Sequence, residues 1–118
     1  MQEFEKLVAE ALDELPPSFR RLLDTENVAV LAEDEPADED YDLTDTPDDE
    51  DLFGVFRGEM RTRASSFDIP GLPAHVVVFR GPILRNTSSK REAIREIKDT
   101  LVHEVGHFFG LEDDEMPV

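Results

Sequence analysis

Two histidines four residues apart, with a glutamate directly after the first, are the side chains of this sequence best suited to do chemistry. They form the run His103-Glu104-Val105-Gly106-His107, and Phe108-Phe109-Gly110-Leu111-Glu112-Asp113 follows. The pattern is H-E-x-x-H-x-x-G-x-x-D. On a helix, positions four apart share a face, so two imidazoles at this spacing can bind one metal ion together. Gly110 can end such a helix and turn the chain back, letting Asp113 reach the same ion. Two neutral nitrogens, one carboxylate and an open fourth position suit a catalytic zinc ion, and the absence of cysteine removes the usual ligands of a structural one. Glu104 would then take a proton from a water on the metal and deliver it to a leaving amine, the parts needed for metal-assisted amide hydrolysis. Glu112, Asp114 and Glu115 flank Asp113 and are rival ligands, although only Asp113 has the spacing. No residue declares itself as an oxyanion donor. His75, Arg80 and Arg85 are candidates, and each has an ordinary structural or solvated role open to it.

A chance H-E-x-x-H arises in roughly one unrelated chain of this length in a few hundred, and a fixed Gly and Asp make the coincidence about a hundredfold rarer. The local sequence also supplies the helix the motif needs. Ser89 and Glu92 form a capping-box pair that starts a helix near Lys90. Ile94, Ile97, Leu101, Val105 and Phe108 recur at spacings of three and four and make an apolar stripe. At roughly 100° per residue, His103 and His107 project from the other side of that helix, with Glu96, Asp99 and Thr100 near them.

The motif resembles that of the zincin metallopeptidases, in a form similar to the metzincin pattern with aspartate as third ligand. The whole chain resembles the small bacterial zincin-like proteins described as a minimal matrix-metalloprotease-like domain. The resemblance implies that His103, His107 and Asp113 bind zinc and that Glu104 is the general base. It also implies an α+β fold: a backing helix, a small mixed twisted sheet, and a C-terminal helix carrying the active site. In that family an edge strand of the sheet receives the substrate as an added strand. Metzincins place a methionine turn beneath the metal, well downstream of the third ligand; here Met116 follows Asp113 by only three residues. The C-terminal subdomain that completes the cleft of larger relatives is not expected in this chain. The expected activity is zinc-dependent hydrolysis of a peptide or a flexible protein segment. The alternative is a non-catalytic zinc-binding module in which the metal stabilises the fold or a partner interface.

The rest of the chain has to position those residues. At 118 residues it is expected to form a single domain, residues 1–118, whose apolar fraction of 39% is lean for a core. Phe4, Leu7, Val8, Ala11, Leu12 and Leu15 predict a helix that Pro16-Pro17 stops. Ser18 to Asp24 adds a short helical turn. Strands are predicted at Asn27–Leu31, Leu52–Arg57 and His75–Arg80, with a loop over residues 58–74 and a break at Gly81-Pro82. The third strand is nearest in sequence to the motif and is one candidate for the substrate edge, although an unbroken apolar run suits a central strand better.

The charge is −17 and unevenly spread. Residues 33–51 hold twelve acids and no base, whereas residues 52–98 hold nine basic and four acidic side chains. The acidic stretch is expected to be a flexible loop or an extended strap lying over the basic surface, possessing too little apolar surface to order itself. One of its carboxylates could reach the metal; otherwise it solubilises. Such a charge disfavours nucleic acid and anionic membranes as partners. No apolar run is long enough to span a bilayer, and the N-terminus lacks the layout of a secretory signal, so a cytoplasmic location is expected.

Overall fold

The computed structural model describes residues 1–44, 46–47, 49–57 and 74–109. Along the chain they form α1 (Gln2–Glu14), α2 (Pro17–Thr25), β1 (Ala29–Glu33), α3 (Asp38–Tyr41), β2 (Gly54–Arg57), β3 (His75–Phe79), α4 (Arg80–Arg85) and α5 (Lys90–Phe108). This is an α+β fold with a three-stranded mixed sheet in the order β1-β3-β2. β1 runs parallel to β3 and β2 antiparallel to it, with Val30 opposite Val76 and Val55 opposite Val77.

Alternation along β3 explains the architecture. Val76 and Val78 face the helices and join a core with Phe4, Val8 and Ala11 of α1, Phe19 and Leu23 of α2, and Ile94, Ile97, Leu101 and Val105 of α5. Val77 and Phe79 face the other way, into a smaller cluster with Val55, Leu52 and Tyr41. Both faces of β3 are covered, which is why it reads as an unbroken apolar run. It is the central strand, so it does not serve as the edge considered for it above.

The second face is covered by the acidic stretch. Glu33 ends β1, α3 follows, and the carboxylates meet arginines. Arg57 pairs with Glu33 at 2.8 Å and with Asp40 at 2.9 Å. Arg80 pairs with Asp34 at 3.0 Å, and Arg85 with Glu35 and Asp51, both at 2.8 Å. Asp40 is 1% exposed despite its charge. Its Oδ2 accepts from the Ala37 amide and from Arg57 Nη2, while Oδ1 accepts from Arg57 Nε. Buried charge tolerated in this way is paired and hydrogen-bonded throughout. Tyr41 packs into the smaller cluster, and its hydroxyl donates to the Glu50 carbonyl at 3.2 Å.

Boundaries differ from the sequence expectation where single residues override pattern. α2 is longer than a turn because Pro17 opens it at a position that lacks an intrahelical partner for its nitrogen. It ends at Thr25, capped by Glu26, and the chain turns away at Asn27, whose φ of 55° is tolerated better by asparagine than by most residues. β1 therefore starts at Ala29 instead of Asn27. Gly81-Pro82 does not simply break the chain after β3: Pro82 sits in the first turn of α4, where its fixed φ suits a helix.

Candidate active site

α5 is built as the sequence predicts. Ser89 Oγ accepts from the Glu92 amide, and Glu92 Oε1 accepts from the Ser88 amide, fixing the helix start. Ala93, Ile94, Ile97, Leu101, Val102 and Val105 are buried on one side. His103 and His107 lie exposed on the other, with Glu104 half-buried between them. Phe108 departs from the expected stripe. It leaves the core and stacks on Phe56 of β2, ring centroids 3.9 Å apart and planes inclined by 12°, with Phe109 edge-on to both.

The two imidazole centroids are 6.0 Å apart with planes at 76°. His103 Nδ1 is 2.8 Å from the carbonyl oxygen of Asp99. A carbonyl can only accept, so Nδ1 carries the proton and the neutral ring keeps its lone pair on Nε2. An imidazole tied through one nitrogen to a carbonyl, with the other nitrogen free, has the arrangement of a metal-ligating histidine and its supporting contact. His107 sits in the last turn of the same helix. Among the described residues, no group of three or more His, Asp or Glu side chains is placed to hold a metal ion, so any ion shared by these two rings needs a ligand from outside them. Gly110, Asp113 and Met116, together with the rival acids Glu112, Asp114 and Glu115, lie outside the described residues.

Glu104 titrates in a perturbed setting. Burial pushes its carboxyl above the usual glutamate range; His107, a hydrogen bond from the Phe56 backbone and His103 act against that shift. The bond to Phe56 follows from strand register. The Phe79 amide donates to the Phe53 carbonyl at 2.9 Å. In an antiparallel ladder the bonded pairs alternate, so Val55 and Arg57 also turn inward to β3. Gly54 and Phe56 then direct their amides and carbonyls to the open edge, and the Phe56 amide meets the Glu104 carboxylate there. Gly54 permits the close approach. A Cβ at this position would lie 2.5 Å from Thr100 Cγ2 and 2.8 Å from the Val77 carbonyl, so only glycine lets β2 lie this near α5.

Two concavities open on either side of Glu104. One, about 780 Å³, is bordered by Glu104, His107, Phe108 and Phe56 on one side and by Asp42, Leu43, Pro47 and Glu50 of the acidic stretch on the other. The second, about 370 Å³, lies between His103, Asp99, Glu96 and Thr46. Burial, followed by the charge of Asp99, raises the Glu96 carboxyl as well, against the opposing influence of His103. The acidic stretch thus borders the site, a placement the sequence left open. Phe56 and Phe108 are site residues that sequence reasoning missed; the one available signal was Phe108 falling at the end of the stripe next to His107. Arg80 and Arg85 are held by acids of the strap and border neither concavity, and His75 opens β3 at the sheet's start.

Comparison with known proteins agrees with this description. A family model for the zincin-like metallopeptidases matches residues 25–117, and the chain belongs to that family. A solved structure, a conserved hypothetical protein from Thermus thermophilus, is similar in fold, with a TM-score of 0.59 at 21% identity over 92% of each chain. No curated protein matches the chain. α1 lies before the matched residues yet supplies Phe4, Val8 and Ala11 to the core that supports α5. Among the described residues, no helix is long and apolar enough to cross a membrane.

Proposed function

We propose that the chain is a zinc-dependent peptidase in which His103, His107 and Asp113 hold the ion and Glu104 is the general base. The observation that carries this reading is the tethered His103 ring beside His107, with a half-buried carboxylate between them at the mouth of an open groove. Membership of the zincin-like family and the fit of two imidazoles to a divalent ion support it. Bound zinc supplies Lewis acidity, polarising the scissile carbonyl and lowering the pKa of its water to about 7.

The chain's own residues do the rest. The Asp99 carbonyl fixes the orientation of the His103 ring through Nδ1 and leaves Nε2 as the nitrogen that can face an ion. The Phe56 amide holds one oxygen of the Glu104 carboxylate, leaving the other to accept a proton from the attacking water. Burial raises the proton affinity of Glu104 toward the working pH, which favours both taking that proton and passing it to the leaving nitrogen. The open edge of β2 offers the remaining outward groups of Gly54 and Phe56 to an extended peptide as an added strand. Digestion of a broad peptide library by the zinc-loaded chain, beside Glu104→Gln, tests the reading. Cleavage by the parent and none by a variant that still holds zinc is expected; equal cleavage by both excludes Glu104 as the base. A zinc-retaining parent that cleaves nothing would leave a non-catalytic zinc module.

A further inference from the structure

The larger groove beside Glu104 combines an apolar floor with an acidic wall. Phe56 and Phe108, stacked on each other, form the floor, and Leu43 stands 42% exposed at the rim. Asp42 and Glu50 contribute the wall. These two acids differ from their neighbours. Arg57 is engaged by Glu33 and Asp40, Arg80 by Asp34, and Arg85 by Glu35 and Asp51. Among the described residues, none of these arginines is left to pair with Asp42 or Glu50, and no lysine or arginine borders the groove. Nor does the wall depend on chance placement. The stretch is pinned just before Asp42 by the buried Asp40 and the packed Tyr41, and just after Glu50 by Asp51 on Arg85 and Asn86. Tyr41 also ties directly to the Glu50 backbone.

An aromatic floor with an anionic rim matches a long cationic side chain better than any other. Lysine and arginine lay an aliphatic stem on apolar surface while keeping the charged head in water, and a cation near an aromatic face gains further. We propose that this groove selects substrates carrying a lysine or arginine, whose stem lies on Phe108 and Leu43 and whose head meets the Asp42 and Glu50 carboxylates. The inference deepens the peptidase reading and rests on it for the groove's use. It gives the acidic stretch a purpose beyond solubility. An acidic segment would be turned away by the same wall, since like charges across a contact cost affinity.

The test uses the full zinc-loaded chain carrying Glu104→Gln and three labelled peptides identical except at one position, which is lysine, norleucine or glutamate. The lysine peptide should bind about fivefold tighter than the norleucine peptide for each exposed carboxylate engaged, and the glutamate peptide weakest. The preference should shrink between about 0.05 M and about 0.5 M salt, as screening demands. Asp42→Asn with Glu50→Gln should abolish it, and Asp42→Lys with Glu50→Lys should turn it toward the glutamate peptide. Asp13→Lys, an exposed change on α1 away from the groove, should leave it intact. Equal binding of all three peptides, binding too weak to detect for any, or a preference that survives the double neutralisation would overturn the proposal. Cleavage by the parent chain separates the two readings. Selective binding without cleavage sinks the peptidase and spares the selectivity; cleavage indifferent to charge does the reverse.

Discussion

Replacing Asp40 with alanine should loosen the whole acidic strap. Its carboxylate is 1% exposed and accepts three hydrogen bonds, from the Ala37 amide and from Arg57 Nε and Nη2, each 2.9 Å long. Bonds to a charged group contribute about 1.5–3 kcal/mol each when taken singly, but they share one carboxylate and do not add. Removing one partner of a buried pair costs about 3–5 kcal/mol, because the other charge is left without compensation. Here Arg57 keeps Glu33 through bonds of 2.8 and 3.0 Å, so its charge is not orphaned. The loss should therefore sit near the bottom of that range, about 3 kcal/mol. With a urea slope of about 2 kcal/mol per M, the unfolding midpoint should fall by about 1.5 M. Far-ultraviolet circular dichroism across a urea series at neutral pH measures this directly. Glu33→Gln, at a half-exposed partner, should cost less than about 1 kcal/mol. If Asp40→Ala shifts the midpoint no more than Glu33→Gln does, the buried triad does not hold the strap.

Gly54→Ala should destabilise the fold by about 1–3 kcal/mol, because the new methyl meets Thr100 Cγ2 and the Val77 carbonyl; a calorimetric melting temperature equal to the parent's would show that β2 does not pack this closely. In the metal-loaded chain the same change should lower kcat more than KM, since it displaces the Phe56 amide from Glu104, and steady-state kinetics on any cleaved peptide would read the split. Stability should fall on acidification partly through Glu14, whose carboxyl is held below its ordinary 4.5 by hydrogen bonds from Arg91 and then Lys98. A depressed acid contributes stability that is complete above its unfolded value and is lost as pH falls through the folded one. Glu14→Gln should accordingly flatten the pH dependence of the urea midpoint below about pH 4.5 and leave the slope near neutrality unchanged. An unaltered acid limb would place the titrating carboxylates elsewhere.

Much of this fold could be read from one sequence because its main elements announce themselves locally. The stripe from Ile94 to Val105 and the Ser89–Glu92 cap define α5 without reference to any other part of the chain. The same holds for α1 and for the central position of Val76–Phe79. What escaped reading depends on partners distant in sequence. Asp40 is an ordinary acid in an acidic run until Arg57 meets it, and Tyr41 and Leu52 have no periodicity to mark them as a cover for the second sheet face. Phe108 continues the apolar stripe by spacing, yet a ring from β2 draws it out of the core. The site follows the same division. The faces of His103, Glu104 and His107 follow from helical geometry, whereas the Phe56 amide and the Asp42–Glu50 wall arise from strand register and ion pairing. The part assigned to Asp113 lies past the last described residue, and spacing remains its support.

The central claim is that two imidazoles of α5 share one zinc ion. X-ray absorption at the zinc edge, on protein purified without chelators, tests it most directly. The account predicts one ion per chain with two imidazole nitrogens at about 2.0–2.1 Å, oxygen in the remaining positions and no sulfur, and His103→Ala or His107→Ala should lose the ion. A zinc-free protein, or a spectrum with fewer than two imidazoles in the coordination shell, would contradict it.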